Sequence, residues 1–184
     1  MSTTEPDGRS AAVTPVYLRA TDPQAAEMIA DLADVYGVLY GPGAKDEMTR
    51  YPADLFDPPH GAFMLLMRDG VAVAGGAFMP HSAGTTEFKR IWTHADHRRQ
   101  GLSRRVLAEL ETEAARRGYV RVFLTTGPRQ PQAIALYLSS GYTPLFDIAA
   151  DPEQIGLHSF EKLIGTPSPD QPLLPITPPT LPSH

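Results

Sequence analysis

Apolar residues along the chain recur at two kinds of spacing, and the switch between them marks out the elements. "PVYLRAT", residues 15–21, reads as a short strand. Asp22 ahead of Pro23 predicts an N-cap followed by a first-turn proline. Met28, Ile29, Leu32, Val35, Tyr36 and Leu39 then fall on one face of a helix, which Gly41, Pro42 and Gly43 stop. "AKDEMTRYPADLFDPPH" predicts a second, less regular helical or looping stretch. "GAFMLLMRDGVAVAGGAFM" is two apolar runs split by Arg68, Asp69 and Gly70, the pattern of a hairpin in which Met64 and Met67 serve strand packing. A third strand runs from Thr85 to His94.

The period changes again after Gly101. Leu102, Val106, Leu107, Leu110 and Ala114 share a helical face, and Gly118 ends that helix. "YVRVFLTT" is β-branched and apolar, which predicts a central strand. "PQAIALYLSS" predicts a short helix closed by Gly141, and "YTPLFDI" and "LHSFEKLI" two final strands. The order is β, α, α, β, β, β, α, β, α, β, β, which implies an α/β fold with helices packed on a mixed sheet.

The ends differ from the middle. Residues 1–15 are polar and aperiodic, which predicts a mobile N-terminal arm. From Gly165 to His184 there are seven prolines in twenty residues, so this tail is expected to stay extended and outside any core. The folded domain is therefore expected over 16–164. The tail is open to three readings: a linker, a ligand for a proline-reading partner, or a strap across a neighbouring subunit.

Composition narrows the function classes. The chain has 184 residues, 42% of them hydrophobic, enough for one domain with a sizeable core. A net charge of −5 gives no global pull toward nucleic acid or acidic membranes, so any anion site must be local. The absence of cysteine removes disulfides, thiol nucleophiles and cysteine zinc sites. "MSTTEPDGRS" has no apolar core of a signal peptide, and no run approaches a membrane span. The expectation is a cytoplasmic protein without nucleic-acid or membrane partners. His94, Asp96 and His97 hint at a metal, but they stand beside arginines that repel a cation, so no metal is expected.

The local anion site is Arg98-Arg99-Gln100-Gly101-Leu102-Ser103-Arg104, between a strand and a helix. First-turn amides of a helix lack internal partners and carry partial positive charge. A phosphate placed there accepts several of them. Gly101 lets it approach the main chain, and Arg98, Arg99 and Arg104 add charge-assisted hydrogen bonds. The plainer alternative is a solvated basic loop. There is no Gly-Lys-Ser/Thr of a P-loop and no Gly-x-Gly-x-x-Gly of a dinucleotide fold.

This segment resembles motif A of the GNAT superfamily of N-acetyltransferases, Arg/Gln-x-x-Gly-x-Gly/Ala. Arg98 takes the first place and Gly101 the fourth, while Ser103 replaces the final small residue. "EFKRIWTHADHRRQG" resembles the strand that leads into that motif, and "QPQAIALYLSSGY" resembles the family's Asn-x-x-Ala-x-x-Leu-Tyr-x-x-x-Gly-Phe segment. There Gln130 stands for Asn, Ala133, Leu136 and Tyr137 match, and Tyr142 replaces Phe. The resemblance covers roughly residues 16–164. It implies a mostly antiparallel twisted sheet of about seven strands with helices on both faces, and acetyl-CoA as acyl donor. The pyrophosphate would lie on Arg98 to Arg104, and the pantetheine arm on the backbone of Ile91, Trp92 and Thr93, with Gln130 also in the cofactor site.

Acetyl transfer to an amine needs a free-base amine, a polarised carbonyl and a thiolate that can leave. A lysine-like amine of pKa about 10.4 is free base in only about one molecule in a thousand at pH 7, so a carboxylate base helps. Glu87 is the candidate, because Glu87, Lys89, Ile91 and Thr93 alternate onto one face of their strand. The competing reading is a strand-edge glutamate paired with Lys89 or left in solvent. The resemblance makes Tyr137 the acid that protonates the leaving thiolate; the competing reading is a core tyrosine. Asp46, Glu47 and Asp54, with Tyr51, could draw a cationic amine, Glu47 and Tyr51 being the candidate substrate contacts. The expected function is N-acetylation of a small-molecule amine by a monomer or homodimer, the tail offering a further contact. Two alternatives stay open: a non-catalytic acyl-CoA-binding module, and an acetyltransferase acting on a protein or peptide.

Overall fold

The computed structural model describes residues 11–179; the rest of the expected N-terminal arm, 1–10, and the last five residues of the tail lie outside it. Seven strands form one sheet in the order β1-β2-β3-β4-β5-β7-β6. They are β1 Thr14–Leu18, β2 Ala62–Arg68, β3 Val71–Ser82, β4 Thr85–Thr93, β5 Arg121–Thr126, β6 Thr143–Pro144 and β7 His158–Leu163. Every neighbouring pair is antiparallel except β4 and β5. The helices are α1 Pro23–Tyr40, α2 Leu102–Arg116, α3 Pro131–Ser139 and α4 Pro152–Ile155. None of them is long and apolar enough to cross a membrane.

The local signals act as chemistry predicts. Asp22 caps α1 by accepting from the Gln24 amide at 3.0 Å, with Pro23 in the first turn. Asp69 and Gly70 both have positive φ, 51° and 77°, which gives the β2–β3 hairpin a turn matched to the strand twist. The irregular stretch after α1 becomes two 3-10 helices, Pro42–Met48 and Ala53–Phe56. "YTPLFDI", expected as a strand, pairs only at Thr143 and Pro144, because Phe146 leaves the sheet to pack edge-on against His158 and Phe160.

The sheet has a core on each face. On one side α1 and the 3-10 segments cover a cluster that includes Met28, Phe56, Phe63, Leu65 and Trp92. On the other, α2 and α3 cover Met64, Phe78, Phe88, Val106, Leu110 and Tyr137. Gly75 and Gly76 let both layers close in. A Cβ on Gly75 would lie 2.9 Å from Met28 Sδ, and one on Gly76 would lie 2.8 Å from Ile91 Cδ1.

Two departures from regular strand geometry shape the centre. The β4–β5 pairing runs only from Thr85↔Arg121 to Phe88↔Leu124. Beyond it β4 stays with β3 and β5 stays with β7, so the two strands part like a wedge. At the point of parting, β4 bulges: Arg90 has φ 59°, and its register with β3 shifts between Gly75 and Ala77. The described part of the tail lies at the other end of β5, where Arg121 donates to the Leu174 carbonyl at 2.5 Å and the Gly165 amide to the Val120 carbonyl at 3.2 Å.

Candidate active site

The wedge between β4 and β5 opens into a cleft of about 1480 Å³. Its walls come from the bulged half of β4, the start of α2, the β5–α3 loop, α3, and the C-terminal part of α1 with the 3-10 helix that follows. The edge of Lys89–Thr93 that faces β5 has no strand partner, so its main-chain groups are open to a ligand.

One half of the cleft is built to take an anion. Arg99 and Gly101 both have left-handed backbones, φ 61° and 72°, and they turn the chain sharply into α2. Gly101 is the N-cap of α2, with no side chain capping the helix and no acidic residue in the first turn. The first intrahelical bond is Arg105 to the Gly101 carbonyl, which leaves the amides of Leu102, Ser103 and Arg104 without helix partners. A Cβ on Gly101 would meet nothing within 4 Å, so the approach to these amides is clear. Arg98, Arg99, Gly101, Leu102, Ser103 and Arg104 all line this half.

Several of these side chains also have structural duties. Arg104 donates to the carbonyl and the hydroxyl of Ser139, at 3.1 and 3.0 Å, and so ties α2 to α3. Leu102 is buried in the α2 core. Gln100 does not line the cleft; its side chain accepts from Arg68 at 2.9 Å. Ser103 Oγ lies 2.7 Å from Thr93 Oγ1, which joins the start of α2 to the end of β4.

On β4 the bulge decides which way each residue points. Trp92 packs with the α1 core and donates from its indole nitrogen to Asp31 Oδ2 at 2.5 Å. Ile91 packs with the α2 core, and Thr93 reaches α2 through Ser103. The expected alternation of Glu87, Lys89, Ile91 and Thr93 on one face therefore fails. The extra residue at Arg90 flips the phase, so Glu87 and Lys89 point to the α1 side while Ile91 and Thr93 point to the α2 side. Glu87 is buried below the cleft wall, held by Lys89 Nζ at 2.9 Å. It is not one of the lining residues.

The other half of the cleft holds mixed charge against aromatic rings. Lys89 Nζ also lies 3.5 Å from Glu47 and 4.7 Å from the centre of the Tyr51 ring. Burial by itself would lower the Lys89 pKa, but Glu87, Tyr51 and Glu47 outweigh it and leave the ammonium raised. Glu47 pairs with Arg50 as well, at 3.1 Å. Tyr40 closes this half: its hydroxyl accepts from the Arg129 amide at 3.2 Å and from Gln130 Nε2 at 3.3 Å. Arg129 in turn donates to the Leu39 carbonyl at 2.9 Å and pairs with Glu153.

Tyr137 lies where the two halves meet. Its ring packs on Phe160 and Tyr142, with centres 5.4 and 5.8 Å apart. The residue lines the cleft, and its hydroxyl has no protein partner among the described residues. Burial, with a smaller contribution from Tyr36, raises its pKa above that of an ordinary phenol and keeps the hydroxyl protonated.

The structure brings together all the residues expected to hold a cofactor except Gln100, and it adds others that sequence reasoning passed over. Tyr36 and Tyr40 stand one turn apart on α1; the periodic pattern includes Tyr36 in the apolar face and leaves Tyr40 out of it. Lys89 and Arg90 are adjacent cations within β4, which is the available sign.

The family model described as the acetyltransferase (GNAT) family matches residues 26–142. An IAA acetyltransferase from Azospirillum brasilense is 30% identical over 111 residues, which make up 53% of this chain and 72% of that protein. A solved structure described as an acyl-CoA N-acyltransferase from Klebsiella pneumoniae is 27% identical, with a TM-score of 0.65 over 83% of this chain and 97% of that one. An aminoglycoside 6′-N-acetyltransferase complexed with coenzyme A shares the fold at 16% identity, with a TM-score of 0.63 over 85% of this chain and 99% of that one.

Proposed function

The chain belongs to the GNAT acetyltransferase family, and from that premise we propose that it moves the acetyl group of acetyl-CoA to the primary amine of a small molecule. The observation that carries the reading is the wedge: β4 and β5 part beyond Phe88 and Leu124, beside an uncapped helix start and above a protonated tyrosine. The donor set fits coenzyme A, because the α2 amides and three arginines suit a pyrophosphate and the open edge of β4 suits an extended amide chain. When bound, the coenzyme supplies an activated acyl carbonyl on a thiol leaving group.

The protein's own groups do the rest. The Arg98–Arg104 loop fixes the nucleotide end, and the edge at Ile91, Trp92 and Thr93 aligns the arm and offers an amide to the carbonyl oxygen. Tyr137 gives its hydroxyl proton to the departing sulfur. Glu47, the acidic group on the cleft wall beside Lys89, takes the ammonium proton of the acceptor through water. Glu87 acts behind it in this reading, holding Lys89 in place rather than meeting the amine.

A thiol-release assay with acetyl-CoA over a panel of primary amines tests the proposal, with mass analysis of the product. Amine-dependent thiol release with a gain of one acetyl group on nitrogen is the expected result. Tight coenzyme binding without release by any amine would reduce the protein to a binding module.

A further inference from the structure

Arg90 is the one cation of the cleft's acceptor half that has no carboxylate partner among the described residues. Lys89 pairs with Glu87 and Glu47, Arg50 with Glu47, and Arg129 with Glu153. Arg90 instead donates through one terminal nitrogen to the Met48 carbonyl at 2.8 Å and lies 4.4 Å from the centre of the Phe56 ring. It is only 9% exposed, yet it lines the cleft, and its remaining N–H groups are not sealed in the core. Burial lowers its pKa, and Glu47 offsets part of that effect. A guanidinium cannot escape the cost by losing its proton, so an unpaired buried arginine needs an anion to answer it.

The backbone is bent to put it there. Arg90 sits at the bulge with φ 59°, a conformation that costs a non-glycine residue energy and that aims its side chain at the α1 side of β4. The arginines of the α2 loop serve the other half, so Arg90 is not needed for the diphosphate. Around it, Lys89 and Arg50 are held by Glu87 and Glu47, Asp46 is exposed at the rim, and the Arg90 guanidinium alone has no carboxylate within ion-pair distance among the described residues. An acceptor with an amine alone would leave that guanidinium unanswered.

We propose that Arg90 binds the carboxylate of the acceptor, so that the substrate class is an amino acid or a close amino-carboxylate. The amine lies toward Glu47 and the carboxylate takes the free fork of Arg90. The substituent rests on the apolar wall of α1 formed by Leu32, Val35 and Tyr36. This assignment rests on the N-acetyl-transfer reading above.

The test compares matched pairs that differ only in the carboxylate: L-phenylalanine against phenethylamine, and L-leucine against isopentylamine. Wild-type kcat/KM is expected to favour the amino acid by at least tenfold. Arg90→Met is expected to raise KM for the amino acid at least tenfold, with kcat/KM for the decarboxylated amine within about threefold of wild type. Arg90→Lys keeps the charge and should restore part of the preference. Coenzyme affinity and melting temperature of each variant show whether the fold has survived. Equal losses on both members of a pair would make Arg90 a structural residue and overturn the assignment. A wild type that favours the amines, or acetylates only other amines, would overturn it too while leaving N-acetyl transfer standing. A wild type that binds acetyl-CoA but acetylates nothing would remove both.

Discussion

Thr93 Oγ1 lies 2.7 Å from Ser103 Oγ, one at the last residue of β4 and the other in the first turn of α2. This contact couples the strand edge that would align the acyl arm to the helix start that would hold the diphosphate. Ser103 stands where the motif that this segment resembles has glycine or alanine, neither of which carries a hydroxyl to make the contact.

Removing either hydroxyl tests that coupling. Ser103→Ala and Thr93→Val should each cost about 1 kcal/mol of stability and weaken acetyl-CoA binding a few fold. The double variant should lose less than the sum of the singles, because both remove the same bond. Thermal melting and calorimetry on all four proteins check this; strict additivity would mean that the two hydroxyls act separately.

Arg98 lines the anion half without an ion-pair partner among the described residues. Arg98→Ala should weaken coenzyme A binding by about tenfold, in line with the loss of a charge-assisted hydrogen bond. Wild-type affinity should also fall with added salt more steeply than that of the variant. Binding calorimetry at two salt concentrations decides the matter, and equal affinities would leave the α2 amides as the whole site.

Tyr137→Phe should lower kcat by about a hundredfold or more while leaving coenzyme affinity unchanged. Burial first, and Tyr36 second, raise the pKa of this hydroxyl, so it stays a proton donor through the alkaline range. The wild-type kcat profile should therefore show no descending limb from Tyr137 up to about pH 10, the ordinary phenol value. A limb below that value that disappears in the phenylalanine variant would contradict the burial argument.

Glu113 anchors the C-terminal end of α2. Its carboxylate accepts from Arg116 at 2.6 and 2.9 Å and from Arg117 at 2.7 Å, and Arg117 continues to the Gly61 carbonyl. The hydrogen bond from Arg116 lowers its pKa most; burial opposes this, and Arg117 adds to the lowering. With the folded pKa below the unfolded one, the stabilisation is complete above the unfolded value, about 4.3, and is lost as pH falls through the folded value. Glu113→Gln should cost about 2 kcal/mol at pH 7, or roughly 5 °C in melting temperature. The gap between variant and wild type should close as the pH is taken toward 3. A gap that persists there would assign the effect to packing.

The amino-acid sequence by itself determined what depends on near neighbours. The Asp22-Pro23 start of α1, the Asp69-Gly70 turn, the apolar face of α2 and the unfilled helix start after Gly101 all follow from residues within a few positions of one another. Those features carry the sheet, the helices and the anion half of the cleft, together with the motif that points to the family. Tertiary structure decided the acceptor half. The bulge at Arg90 arises between the pairs Gly75↔Trp92 and Ala77↔Lys89, where Gly75 is pressed by Met28 on one side of the sheet and Gly76 by Val106 and Leu110 on the other. No local pattern announces it, and a single extra residue was enough to set Glu87 and Lys89 on the opposite face from Ile91 and Thr93 and to bring Arg90 to the acceptor side beside Lys89, while Glu87 stays in the part of β4 still paired with β5. The clasp of Tyr40 on Arg129 and Gln130 joins positions about ninety residues apart. Strand phase and such distant contacts are settled by packing across the whole sheet, and sequence periodicity contains no information about where two strands will part.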